Sequence, residues 1–352
     1  MSPPIHTQSQ SPLFALPAEL RLLIFSYALT ESLDLRRPYS PDTYYYRPGY
    51  TAPPTIHTAL LRTCKRIHAE AHYFPTQQAE HTFFLCSKYR APDFIWIPHL
   101  TSILEHNHSR YGPLGTPHIQ VFAQLYRLEN DDDLQRVLDI PHLDPRHVTL
   151  TIRHTDFWFW ENWESLRLDE GWVNRTRFPN TVTAFDIQME TIVQRAGEID
   201  YLAKEAATKW FFLRKDGRVL AADTKDMSVD TWTGSSVLHD ARWVRDERRP
   251  GELDYHVVTV RWKLVPEDRV DALGFDLTAP RPKISVPDHV GLGEPAFEGP
   301  RSITVADMER LSITKEMPLD EVLQALRGAR PSGQRARRNY RRRRVASEGV
   351  NY

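Results

Sequence analysis

The chain has 352 residues, 41% of them hydrophobic and 11% aromatic, enough apolar material for one large or two ordinary cores, which excludes a wholly disordered polypeptide. Its two cysteines, Cys64 and Cys86, make no disulfide framework and are too few for a thiolate zinc site, as expected in the cytosol or nucleus. The net charge of −1 conceals a split: nine arginines against the single acid Glu348 give the segment after Leu326 a charge of +8 and leave −9 on the rest.

Residues 1–12 are polar and proline-bearing, without the basic and apolar regions of a secretory leader, and no stretch approaches the length of a membrane span; a soluble chain, neither secreted nor membrane-bound, is expected. A helix is expected over residues 16–29. Pro17 stands where a first helical residue loses nothing by lacking an N–H, and Glu19 in the first turn suits the helix dipole. Leu16, Leu20, Leu23, Ile24, Tyr27 and Ala28 recur at spacings of three and four and make one apolar face, with Glu19, Arg21 and Ser26 off it. Residues 33–54 hold five prolines and five tyrosines, cannot continue a helix, and read as an extended loop. A second helix is expected over residues 58–73, with Leu60, Leu61, Cys64, Ile67, His68 and Ala71 on one face and a stop before Pro75. Two such stripes would pair.

The run Leu16-Pro17-Ala18-Glu19-Leu20-Arg21-Leu22-Leu23-Ile24, followed by Leu60-Leu61-Arg62-Thr63-Cys64-Lys65-Arg66-Ile67, resembles the F-box. More closely, it resembles the diverged F-box-like opening of a large group of fungal proteins, in which a helix with an Ile-x-x-Glu-Ala step and a short aromatic strand follow. Here those are Ile67-His68-Ala69-Glu70-Ala71 and Thr82-Phe83-Phe84-Leu85. The likeness covers about a fifth of the chain, and the long insertion replaces the short connection of an ordinary F-box. It implies docking on a Skp-type adaptor of a cullin-RING ubiquitin ligase. The candidate adaptor-binding residues are Leu16, Pro17, Leu20, Leu23, Ile24, Tyr27, Leu60, Leu61, Cys64 and Ile67.

Beyond residue 80 the chain alternates short apolar runs with helical patterns. Residues 118–125 fit strand or helix, and 131–140 fit a helix with Leu134, Val137 and Leu138 inward. In 147–153 Val148, Leu150 and Ile152 alternate as a strand with one buried face. A strand over 181–187 leads to a helix over 189–210, whose stripe is Met189, Ile192, Val193, Ala196, Ile199, Ala203 and Ala206, with Asp200–Lys204 and Glu205–Lys209 pairs outside. Asp216-Gly217 marks a hairpin between 210–213 and 218–221, and 255–265 is a last strand. The expected fold is α+β, with an F-box-like helical pair packed on a mixed or antiparallel sheet that carries a long helix. The expected divisions are 1–80, the helical region with its insertion; 81–265, the α+β body; 266–328, a proline-rich linker and a short helix; and 329–352, a disordered arginine-rich tail.

Catalytic signals are weak. His68 and His72 stand four apart as in zinc metalloproteases, but the glutamate is misplaced and no third ligand is marked, so an ordinary helix face is the simpler reading and no metal or cofactor is assigned. Residues 105–108 read as histidines on a polar turn before Gly112-Pro113. No phosphate loop or Gly-x-Ser-x-Gly motif occurs, and no catalytic residue is assigned. Residues 153–161 are the most unusual run: Arg153, His154 and Asp156 beside four consecutive aromatics. They read either as core or, through Arg153, Asp156, Trp158 and Trp160, as a partner-binding surface for an unidentified protein client. Arg337, Arg338, Arg341, Arg342, Arg343 and Arg344 fit a nuclear-import signal or a nucleic-acid patch, so a nuclear nucleic-acid-associated protein is the alternative to the F-box-like interaction protein.

Overall fold

Most of the apolar runs join one sheet. The computed structural model describes residues 6–92, 97–291, 293–297 and 299–328, and in it nine strands form a single mixed sheet. In chain order they are β1 (His81–Leu85), β2 (Thr116–Ala123), β3 (Pro145–Ile152), β4 (Arg177–Phe178), β5 (Ala184–Ile192), β6 (Phe211–Arg214), β7 (Val219–Ala222), β8 (Ser228–Ser235) and β9 (Glu252–Leu264). The helices that matter here are α1 (Ala18–Ala28), α2 (Lys65–Ala71), α3 (Ile97–Tyr111), α4 (Ala196–Lys209) and α5 (Leu319–Gly328).

The spatial order is β1-β2-β3-β5-β9-β7-β6-β4, with β8 paired to the first part of β9. Strands β1, β2, β3 and β5 run parallel, as strands joined by helical crossovers must. The sheet then turns antiparallel through β9, β7 and β6. The fold is thus α+β on a mixed sheet.

Register explains the core. Leu150, Ile187 and Val260 lie side by side across β3, β5 and β9, as do Val148, Phe185 and Trp262. All six are buried, and α4 covers them with Ile199, Leu202, Ala203 and Ala206. Strand β3 is buried on both faces, not one: Thr149 and Thr151 are inside as well. Thr151 accepts from Gln120 and donates to Gln188, both at 2.9 Å. The tyrosine-rich insertion lies over that side, with the Tyr50 ring edge-on to Phe122 at 4.9 Å and the Tyr50 hydroxyl donating to Glu80.

Several sequence expectations shift. The run from Met189 to Ile192 belongs to β5, where it pairs with β9 from Val258 to Tyr255; the helix begins only after the 3₁₀ turn Val193–Arg195. Short apolar runs fit both periods, and pairing with β9 decides for strand. Glu205 and Lys209 do pair, but Asp200 instead meets His256 at 2.8 Å. The hairpin turns at Gly217, whose φ of +82° only glycine adopts without strain. Residues 105–108 lie inside α3 rather than on a turn, and the run 116–123 is a strand.

Candidate functional site

The second predicted helix is broken into pieces: a 3₁₀ turn Thr58–Arg62, then α2, then the short helix Phe74–Gln78 with Pro75 in its first turn. Cys64 caps α2, its sulfur accepting from the Ile67 amide. Helix α1 begins at Ala18 with Pro17 as N-cap. It packs on α2 through Phe25, Leu29, Ile67 and Ala71, flanked by half-buried Leu60, Leu61 and Cys64.

The face of α1 turned to α2 is not the stripe that periodicity favours. Arg21 and Phe25 are buried, with Leu29 directly after them. The Arg21 guanidinium grips Glu70 with both arms, Nε to Oε2 at 2.9 Å and Nη2 to Oε1 at 3.1 Å, and donates to the Leu16 carbonyl at 2.6 Å. Arg66 adds a third contact at 3.0 Å. Hydrogen bonding from Arg21, with Arg66 beside it, holds the Glu70 carboxyl below its ordinary range.

The stripe itself faces out. Leu20 is 48% exposed, Leu23 51%, Ile24 43% and Tyr27 76%. Among the described residues no other helix exposes as many large apolar side chains. Of the ten candidate adaptor-binding residues, Pro17, Leu20, Leu23, Ile24 and Tyr27 therefore stand on the surface, while Leu16, Leu60, Leu61 and Cys64 are half-buried and Ile67 is buried.

The aromatic run at 153–161 is partly inside and partly at the surface. Strand β3 ends at Ile152, and His154–Asp156 is a 3₁₀ turn, so strand spacing does not continue. Arg153 and Asp156 are each 3% exposed and hold one another, Nε to Oδ2 at 2.6 Å and Nη2 to Oδ1 at 3.2 Å. Arg153 also donates to the Tyr44 carbonyl at 3.0 Å, which ties the insertion to the sheet. Trp160 is buried against Trp243, their rings 4.3 Å apart. Trp158 is half-buried and donates to Glu129. A burial site flanked by Arg195, Arg245 and Arg90 pushes the His154 imidazole down to about 3. Arg153, His154, Asp156 and Trp160 are thus interior, whereas Trp158 is half-buried and Phe159 is exposed.

His68 and His72 stack with rings 5.6 Å apart on α2, and His72 meets Tyr111 of α3 at 3.7 Å. No group of three His, Cys, Asp or Glu able to hold a metal occurs among the described residues. The same histidines line a groove together with Arg62, Lys65 and Arg110. Sequence reading missed it, because Arg110 arrives from another helix; the cluster of cations at 62–66 was the available signal. No described helix is long and apolar enough to cross a membrane. Arg337, Arg338 and Arg341 to Arg344 lie outside the described residues.

No family model matches the chain, and no curated protein or solved structure matches it. The F-box resemblance rests on the quoted residues alone.

Proposed function

We propose that this chain is a non-enzymatic, F-box-like interaction protein that docks a Skp-type adaptor through the outer ridge of α1, with the α+β body serving a protein client of a cullin-RING ubiquitin ligase. One observation carries the reading. Leu20, Leu23, Ile24 and Tyr27 stand at i, i+3, i+4 and i+7 on a helix whose other face is already anchored, the spacing by which an amphipathic helix enters an apolar groove on a partner. Helix α1 is fixed from behind by Phe25, Leu29 and the Arg21–Glu70 pair, so docking would cost little ordering. The predicted second-helix residues Leu60, Leu61, Cys64 and Ile67 then support the ridge from inside rather than touch the adaptor.

The test is reconstitution: the full chain mixed with a purified Skp-type adaptor should elute as one complex in gel filtration. Separate elution at micromolar concentrations would remove the reading. Import or nucleic-acid contact through the arginine tail is a separate proposal that rests on its charge, and deletion tests it independently.

A further inference from the structure

The side of α2 opposite α1 forms an open groove of about 810 Å³ with the 3₁₀ turn before it and the C-terminal end of α3. The stacked rings of His68 and His72 and the Tyr111 ring against His72 line it. Arg62, Lys65 and Arg110, all exposed, line it as well. No carboxylate lines it. The nearest acid on α2, Glu70, faces α1 and is held by Arg21 and Arg66. Among the described residues Arg62, Lys65 and Arg110 form no ion pair, and Arg110 overlies the Tyr111 ring 5.6 Å from its centroid.

Three uncompensated cations on a convex surface are simply solvated. Here they share a concavity with apolar and aromatic lining, where the low-dielectric walls strengthen their attraction for an anion. We propose that this groove receives a short acidic peptide segment, its carboxylates on Arg62, Lys65 and Arg110 and a neighbouring apolar side chain on the His72–Tyr111 ring pair. Arginine clusters read acidic motifs in this way. A nucleic-acid strand is the weaker fit, since tracking its backbone takes a longer basic path than one groove with three fixed cations. Because the groove faces away from α1, the inference stands apart from adaptor docking, and its test contains no adaptor.

The probe is a short fluorescein-labelled peptide of alternating glutamate and leucine with a benzophenone at its centre, added to the full chain. Binding should weaken as salt rises, and photo-cross-links should map to residues 61–72 and 110–111. Arg62→Glu with Arg110→Glu should lower affinity about tenfold or more while circular dichroism is unchanged. Cross-links confined to the arginine tail would overturn the proposal. So would full affinity in a folded double variant, or displacement of the peptide by oligouridylate more readily than by the unlabelled peptide. Should the double variant misfold, the cross-link map of the unaltered chain decides.

Discussion

Replacing Leu20 and Ile24 by aspartate separates docking from folding. Both side chains are about half exposed in the free chain, so the double variant should lose no more than about 1 kcal/mol of stability, the usual range for surface positions. In a docked helix the exposed half of each would be covered. Full burial of a leucine or isoleucine contributes about 1.5–3 kcal/mol, so half gives about 1 kcal/mol each. Two carboxylates left unpaired in an apolar groove add about 2 kcal/mol or more. The sum, roughly 4 kcal/mol, corresponds to about a thousandfold loss of affinity at 1.4 kcal/mol per decade. Titration calorimetry of the full chain with a purified Skp-type adaptor measures it, and thermal melts by circular dichroism measure the cost to folding. Phe25→Asp is the contrast: that ring is fully buried, and its replacement should unfold the helical pair. Near-normal affinity in the double variant, or a melt as damaged as that of Phe25→Asp, would refute the reasoning.

Two other predictions concern single buried residues and a third the arginine tail. Glu198→Ala should destabilise the chain by about 3–5 kcal/mol in chemical denaturation, because it strands the buried Arg195 guanidinium that Glu198 holds at 2.7 and 2.9 Å; a loss under about 1 kcal/mol would mean that water reaches Arg195. His154 titrates near 3 in the folded chain against 6.5 when unperturbed, so the unfolded chain takes up a proton that the folded one refuses. Its contribution is intact above about pH 6.5 and is lost at up to about 1.4 kcal/mol per unit as pH falls toward 3; His154→Gln should flatten that slope, and equal slopes would sink the assignment. Truncation after Gly328 removes eight of the nine tail arginines and should leave the melting temperature nearly unchanged while abolishing nuclear import or salt-sensitive nucleic-acid binding; an early melt, or no change in either readout, would show that the tail is no separate module.

The sheet was legible where strands alternate cleanly and turns have their own chemistry. Val148, Leu150 and Ile152 and the Asp216-Gly217 turn needed no tertiary information. Boundaries were lost where two periods fit one run, as from Met189 to Ile192, which β9 claims by pairing through Tyr255. The aromatic run at 153–161 was ambiguous for another reason. Arginine and tryptophan anchor interfaces and cores alike, and Arg153 is held inside by Asp156 together with the Arg90 and Tyr44 carbonyls, of which the last two come from distant parts of the chain.

The opening helix shows what periodicity leaves undecided. Two stripes coexist in residues 16–29: Leu20, Leu23, Ile24 and Tyr27 on one side, and Arg21, Phe25 and Leu29 with Leu22 on the other. Hydrophobicity favours burying the first, since the second contains a guanidinium. Arg21 nevertheless lies inside, because Glu70, 49 residues further on, meets it with both oxygens. A charge can be buried when paired and hydrogen-bonded, and no spacing rule within one helix reveals a partner so distant. The four apolar side chains that the pair leaves uncovered gain nothing for folding from their exposure. A helix that places an ion pair inside and its apolar stripe outside is better arranged to be covered by a second protein than to stand alone in water.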